Sequence, residues 1–289
     1  MRYQHQPFTG KSGLMKMKRL RNSWHLTRKL LVLMIFFGLG TSILYIPALA
    51  GDFTGRDIMV KVKERPEGDD SKSLMKMILI DRRNRSKDRS VLSFKMNDNN
   101  NKKTLMYFLA PADIRGTGFL TWEYEKTGKD DDRWIYLPAF KKTRRISGSS
   151  KNSYFLGTDF TYDDLGNRAV DEDTHRLLRE EEIDGKKCWV IESIPRAKDY
   201  IYSKKIYWIW KDAFFGVKVE YYDRMGTLMK ILTVQDLRKE NGIWTPFKMT
   251  MDNIREKHKT IFITEEVNYN QGLEDSLFRV STLERGNIR

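Results

Sequence analysis

Cysteine is nearly missing from this chain. Of 289 residues only Cys188 is one, so no internal disulfide can form. Within "KKCWVIES" it alternates with Val190 on one strand face, the pattern of a buried structural thiol and not of a nucleophile. Histidine is almost as scarce. Only His175 and His258 lie beyond residue 50, each read as alone in a charged setting. No paired His/Cys/Asp spacing suits a metal, so no metal and no cofactor are expected. Gly116-x-Gly118 lacks the strand and helix that a nucleotide loop needs. "KDDD" (129–132) and "DEDT" (171–174) read as solvated acidic loops rather than calcium sites. Glu181 and Glu182 are adjacent, so on a strand they face opposite sides. An enzyme is not expected; a secreted hydrolase built from dispersed carboxylates is the reading left to that class.

Acidic residues are absent from the first fifty positions, which carry Arg2, Lys11, Lys16, Lys18, Arg19, Arg21, Arg28 and Lys29. An uncharged run, "LLVLMIFFGLGTSILYIPALA" (30–50), follows. Basic start, apolar centre and a terminal Ala-x-Ala make a signal peptide, cleaved after Ala50. Its length would also permit a retained inner-membrane anchor over 30–50. Met15 and Met17 are alternative starts to Met1. The lack of a nearby cysteine argues against a lipidated N-terminus. The full chain has a net charge of +14, but removing residues 1–50 leaves 45 basic and 39 acidic residues, a net of +6. That is too mild for a nucleic-acid binder.

Long helical periodicity is lacking too. Residues 53–65 form the best helix candidate, with Thr54 and Asp57 at capping-box spacing and Ile58, Met59 and Val62 on one face. Pro66 and Gly68 end it. Thereafter short alternating apolar runs dominate, giving about eleven strands. Asp184-Gly185 and Asn241-Gly242 are the strongest hairpin signals. "TDFTYDDL" (158–165) has Thr and Asp capping chemistry and reads as one or two helical turns. Residues 51–289 are expected to form one domain of mainly β class. Several strands are apolar on both faces, so the sheet must curl around a core or around a ligand-filled space.

Three blocks in order, "YFLAPADIRGTGFLTWEYE" (107–125), "RWIYLPAFKKTRRIS" (133–147) and "GTDFTYDDL" (157–165), resemble the LolA-like family of outer-membrane lipoprotein-sorting proteins. The resemblance is to a subfamily often encoded beside RND-type exporters, and it extends to "DAFFGVKVEYYDRMGTLMKIL" (212–232) and "GIWTPFKMTMDN" (242–253). It implies a strongly curved antiparallel sheet, an incomplete β-barrel, with short covering helices over an apolar cavity for acyl chains. Residues 54–65 would be one cover and "DFTYDDL" a second lid piece.

A carrier of this kind needs no catalytic group. A sixteen-carbon chain in water costs on the order of 12 kcal/mol, so the tail has to be enclosed. A deformable lining suffices, and methionine suits it. The candidate liners are Leu120, Trp122, Trp134, Tyr136, Phe247, Met249, Met251, Ile261 and Ile263. Arg115, Lys142, Arg144 and Arg145 are candidates for a basic rim meeting lipid headgroups or an acidic partner; the alternative is a charged edge strand that blocks aggregation. Arg115 could also bind a lid carboxylate such as Asp159 or Asp163. The functional expectation is a monomeric, non-catalytic periplasmic carrier of a lipid or lipoprotein. The alternative is an accessory or sensor module of an RND-type transporter or envelope-stress system.

Overall fold

Thr54 starts the first element. Its hydroxyl accepts from Asp57 N at 3.2 Å and its own N–H donates to the Asp57 carboxylate at 3.0 Å, the expected capping box. Helix α1 runs Gly55–Glu64 and buries Ile58 against Ile191 and Ile209. In this computed structural model the described residues are 53–285 apart from 99, 100 and 167. The signal-peptide reading of residues 1–50 therefore lies outside them.

Thirteen strands follow: β1 (Asp70–Ile80), β2 (Ser86–Asp98), β3 (Asn101–Ala110), β4 (Gly118–Glu123), β5 (Asp132–Leu137), β6 (Lys142–Ile146), β7 (Asp173–Ile183), β8 (Lys186–Pro195), β9 (Tyr202–Trp210), β10 (Phe215–Asp223), β11 (Leu228–Glu240), β12 (Ile243–Asn253) and β13 (His258–Tyr269). A short helix, α2 (Val280–Arg285), closes the chain. Apolar patterning does not mark β6; a charged edge strand is only the alternative reading of Lys142, Arg144 and Arg145, and β6 is an edge strand. "KTRRI" has no apolar alternation, because an edge strand with both faces largely wet has nothing to bury. The Asp184-Gly185 and Asn241-Gly242 turns take positive φ at both positions (49° and 74°, 50° and 83°), the requirement of a tight hairpin between twisted strands.

All thirteen strands form one antiparallel sheet in the order β6-β5-β4-β3-β2-β1-β13-β12-β11-β10-β9-β8-β7. The chain meanders outward from the β1–β13 pair in both directions, and the sheet curves without closing, an incomplete barrel. Its two edges, β6 and β7, are neighbours in sequence. The connection between them, residues 147–172, must therefore cross from one edge to the other. It does so over one face, here called the inner face. Met77, Met106, Phe108, Phe119, Ile135, Val219, Met251 and Phe262 project there and pack with Phe155 and Phe160 of the crossing segment.

The opposite, outer face over β2–β5 has its own cover. Phe278 and Leu283 pack on Phe94, Leu105, Tyr107 and Leu120. Leu283 sits directly above Gly118, where a β-carbon would come within 2.5 Å of its Cδ1. The Tyr107 hydroxyl donates to Thr282 O at 2.9 Å, and Trp122 Nε1 donates to Phe278 O at 2.8 Å.

Candidate functional site

The crossing segment is the centre of the candidate site. "TDFTYDDL" is not helical as the capping pattern suggested. Thr161 and Asp164 do cap one another, Thr161 N donating to Asp164 Oδ2 at 2.7 Å and Asp164 N to Thr161 Oγ1 at 3.0 Å, but they close a single turn. The segment folds back on itself as a small hairpin. Phe155 N bonds Phe160 O, Tyr162 N bonds Ser153 O and Asp163 N bonds Lys151 O, at 2.8–3.1 Å. Among the described residues, every backbone–backbone hydrogen bond of residues 151–163 closes within the segment. It lies on the sheet as a plug, held by side chains and not by a strand ladder.

Those side chains form a buried polar network. Lys230, on β11, has a fully buried ammonium 2.6 Å from the equally buried Asp164 carboxylate, and it also donates to Asp159 O at 2.8 Å. Tyr202 OH donates to Asp164 at 2.9 Å, and Tyr200 OH to Asp163 at 2.5 Å. Lys205 donates to Tyr200 OH at 2.9 Å. Burial alone would push the Asp164 carboxyl up, but the Lys230 and Lys205 cations outweigh it and hold it below the usual carboxylate range. Burial draws Lys230 below the ordinary lysine value, against the pull of Asp164. Two further ties secure the plug: Arg89 Nη1 donates to Leu156 O at 2.8 Å, and Asn253 Nδ2 to Tyr154 OH at 3.1 Å.

The histidines do not stand alone. His258 Nδ1 lies 2.7 Å from Asp159 Oδ2, which Thr260 also contacts at 2.8 Å. His175 bridges Ser193 Oγ at 2.7 Å and Val170 O at 2.8 Å. The acidic loops are paired rather than merely solvated: Asp131 with Arg133 at 2.7 Å, Asp171 with Arg56 at 2.9 Å, and Asp173 with Arg168 at 2.8 Å. Cys188 is fully buried beside Val190, and burial pushes its thiol up to about 11. Among the described residues no group of three or more His, Cys, Asp or Glu side chains is placed to hold a metal.

The nine candidate liners fall on two faces. Met249 and Met251 pack into the inner-face core with Phe262 and Met229. Phe247 shares their parity on β12, half-buried under the Arg238 guanidinium, 4.6 Å from its ring centroid. Leu120, Trp122, Trp134 and Tyr136 belong instead to the outer-face cluster under Phe278 and Leu283. Ile261 and Ile263 alternate with inward-facing Phe262 and so project outward as well. Alternation could say which residues share a face, but not which face lies under the plug. Sequence reasoning did not single out the other inner-face apolar residues, such as Met77, Met106, Phe108, Phe119 and Phe262.

The four rim candidates are all exposed. Arg115 donates to Leu109 O at 3.0 Å and not to Asp159 or Asp163. The guanidinium groups near Asp163 are those of Arg133 and Arg168, each at 4.0 Å. Lys142, Arg144 and Arg145 lie on β6, where Arg145 pairs with Asp132. The cleft beneath α1, of about 450 Å³, is lined mostly by ion-paired side chains such as Arg56, Arg65, Glu67 and Asp171, with Val60 and Ala169 as apolar contributors.

Comparison with known proteins agrees with this architecture. A family model described as an uncharacterized protein matches residues 100–285. A domain from Vibrio parahaemolyticus named for outer membrane lipoprotein sorting is 32% identical, covering 80% of this chain and 98% of its own, with a TM-score of 0.76. A DUF1329 family protein from Desulfovibrio piger is 34% identical over 79% of this chain and 97% of its own, also at 0.76. A LolA superfamily protein from Nitrosomonas europaea, 18% identical over 80% of this chain and 100% of its own, shares the fold at 0.63. No curated protein matches the chain. With this identity across nearly the full length of two relatives, the chain belongs to the DUF1329 family, which it shares with a relative named for outer-membrane lipoprotein sorting, and its fold is that of the LolA superfamily protein.

Proposed function

We propose that this protein is a non-catalytic periplasmic carrier that encloses the acyl chains of a lipid or lipoprotein between the inner face of its sheet and the plug of residues 147–172. One observation carries the reading. Beside the polar network, the inner face carries an apolar area rich in methionine, with Met77, Met106, Met229, Met249 and Met251 in one cluster. Its cover makes no backbone ladder to it. Among the described residues, 151–163 of the plug make no backbone–backbone hydrogen bond to the sheet, so that part can lift as a unit, and the flexible methionines beneath can re-pack around a tail. Enclosing a sixteen-carbon chain would recover on the order of 12 kcal/mol of exposure cost, which is set against the contacts that the plug gives up.

Membership of a family with a lipoprotein-sorting relative supports the same reading. So does the N-terminal "RKLLVLMIFFGLGTSILYIPALA" pattern, which directs the chain across the inner membrane. No helix of the described residues is long and apolar enough to cross a membrane.

The test is mass spectrometry of organic extracts from mature protein purified without detergent, together with titration of a fluorescent fatty acid. Stoichiometric acyl chains and saturable, competable binding are expected. Empty protein that also fails to bind the probe would refute the proposal.

A further inference from the structure

The two edges of the sheet are treated differently. At β7 the start of helix α1 packs close against the strand: a β-carbon on Gly55 would come within 2.7 Å of Leu177 N and 2.9 Å of the Arg176 backbone. At the other end β6 pairs with β5 over Lys142–Ile146, and among the described residues no strand pairs with its second side. Half of its backbone N–H and C=O groups therefore point away from the sheet.

The surroundings of β6 have a consistent chemistry. Phe140, in the turn before it, is 70% exposed. Lys141, Lys142 and Arg144 are exposed, and none has an ion-pair partner among the described residues, whereas the next cation, Arg145, is held by Asp132. Lys141 sits in the left-handed region at φ 48°, fixing the turn that places Phe140 and the cations together.

We infer that β6 is a docking edge for an extended acidic segment of a partner protein. That segment adds a fourteenth strand through main-chain hydrogen bonds, sets its carboxylates against Lys142 and Arg144, and rests an apolar side chain on Phe140. Strand addition of this kind draws affinity from the ladder and specificity from the alternating side chains. The cations also disfavour pairing of this edge with itself. A second copy would bring like charges into register, whereas an acidic strand is attracted, so one set of charges both repels and selects. This surface is separate from the acyl-chain reading, since it lies at the sheet edge and not beneath the plug.

The experiment uses the mature protein and three fluorescent peptides. The first is a ten-residue alternation of Glu and Val, the second is the same peptide N-methylated at every second residue, and the third alternates Lys and Val. Anisotropy titrations at low and physiological salt should show the acidic peptide binding with Kd below about 1 mM, weaker as salt rises. The methylated and basic peptides should bind at least tenfold more weakly. Lys142→Glu/Arg144→Glu, both exposed and so compatible with folding, should cost the acidic peptide at least tenfold and leave fatty-acid titration unchanged. Equal binding of the methylated peptide would overturn the inference, because the contact would then be mere charge. So would the absence of acidic-peptide binding, or cation-dependent adsorption to anionic phosphatidylglycerol vesicles by a protein that ignores the peptide.

Discussion

Replacing Lys230 by methionine tests the central structural claim, that a buried ion pair holds the plug on the sheet. Lys230 and Asp164 have no side-chain exposure and lie 2.6 Å apart. Methionine preserves the length of the side chain but removes the charge and both of its hydrogen bonds, to Asp164 and to Asp159 O. Asp164 keeps Tyr202 OH and Thr161 N as donors, yet its charge is left in the interior. Removing one partner of such a pair costs about 3–5 kcal/mol. At about 2–4 °C per kcal/mol for a domain of this size, the midpoint should fall by roughly 6–20 °C. Chemical denaturation at pH 7 measures the free energy directly, and thermal melting checks the shift. Adding Asp164→Asn should recover part of the loss, since the stranded charge is then gone, and the two changes should be strongly non-additive. A loss below about 1 kcal/mol in the single variant, or simple additivity, would mean that the pair is solvated and the plug is held by something else.

Four further outcomes follow from the geometry. Burial, with Asp131 adding to it, pushes the Glu123 carboxyl up from 4.5 to about 7. The folded state thus favours the neutral form, and stability should be full below about pH 4.5 and decline through pH 7 by on the order of 3 kcal/mol; Glu123→Gln should flatten that slope in urea melts taken across this range. Gly118→Val should push Leu283 off the outer face and cost about 1–3 kcal/mol, read as faster proteolysis of the C-terminal segment. Met249→Arg, on the inner face, should abolish fatty-acid binding, whereas Ile261→Arg, outward on the neighbouring strand, should leave it intact; the opposite ranking would place the ligand on the other face. Intact mass of the exported protein should begin at Gly51, and a membrane-bound species that keeps residues 30–50 would contradict the cleavage reading.

Local chemistry made several elements legible in the sequence. Thr54 and Asp57 fix the start of α1 because a capping box needs only residues three apart. Asp184-Gly185 and Asn241-Gly242 fix two hairpins because few other residue pairs tolerate positive φ at both positions. The strands themselves follow from period-two alternation, and so does the pairing of Cys188 with Val190 on one face. Tertiary structure decided what alternation leaves undetermined. A strand pattern separates its residues into two sets without naming which set meets the plug, so Trp122 and Met249 read alike although one belongs to the outer-face cluster with Phe278 and the other to the inner-face cluster with Phe155. The strand β6 could be read only from its charges, as an alternative, because an edge this wet carries no apolar alternation. Lys230 was illegible for the converse reason: a charged residue in an alternating strand reads as solvent-facing. Only when a segment distant in sequence crosses the sheet does Lys230 acquire a carboxylate partner, and only that partner makes its burial affordable.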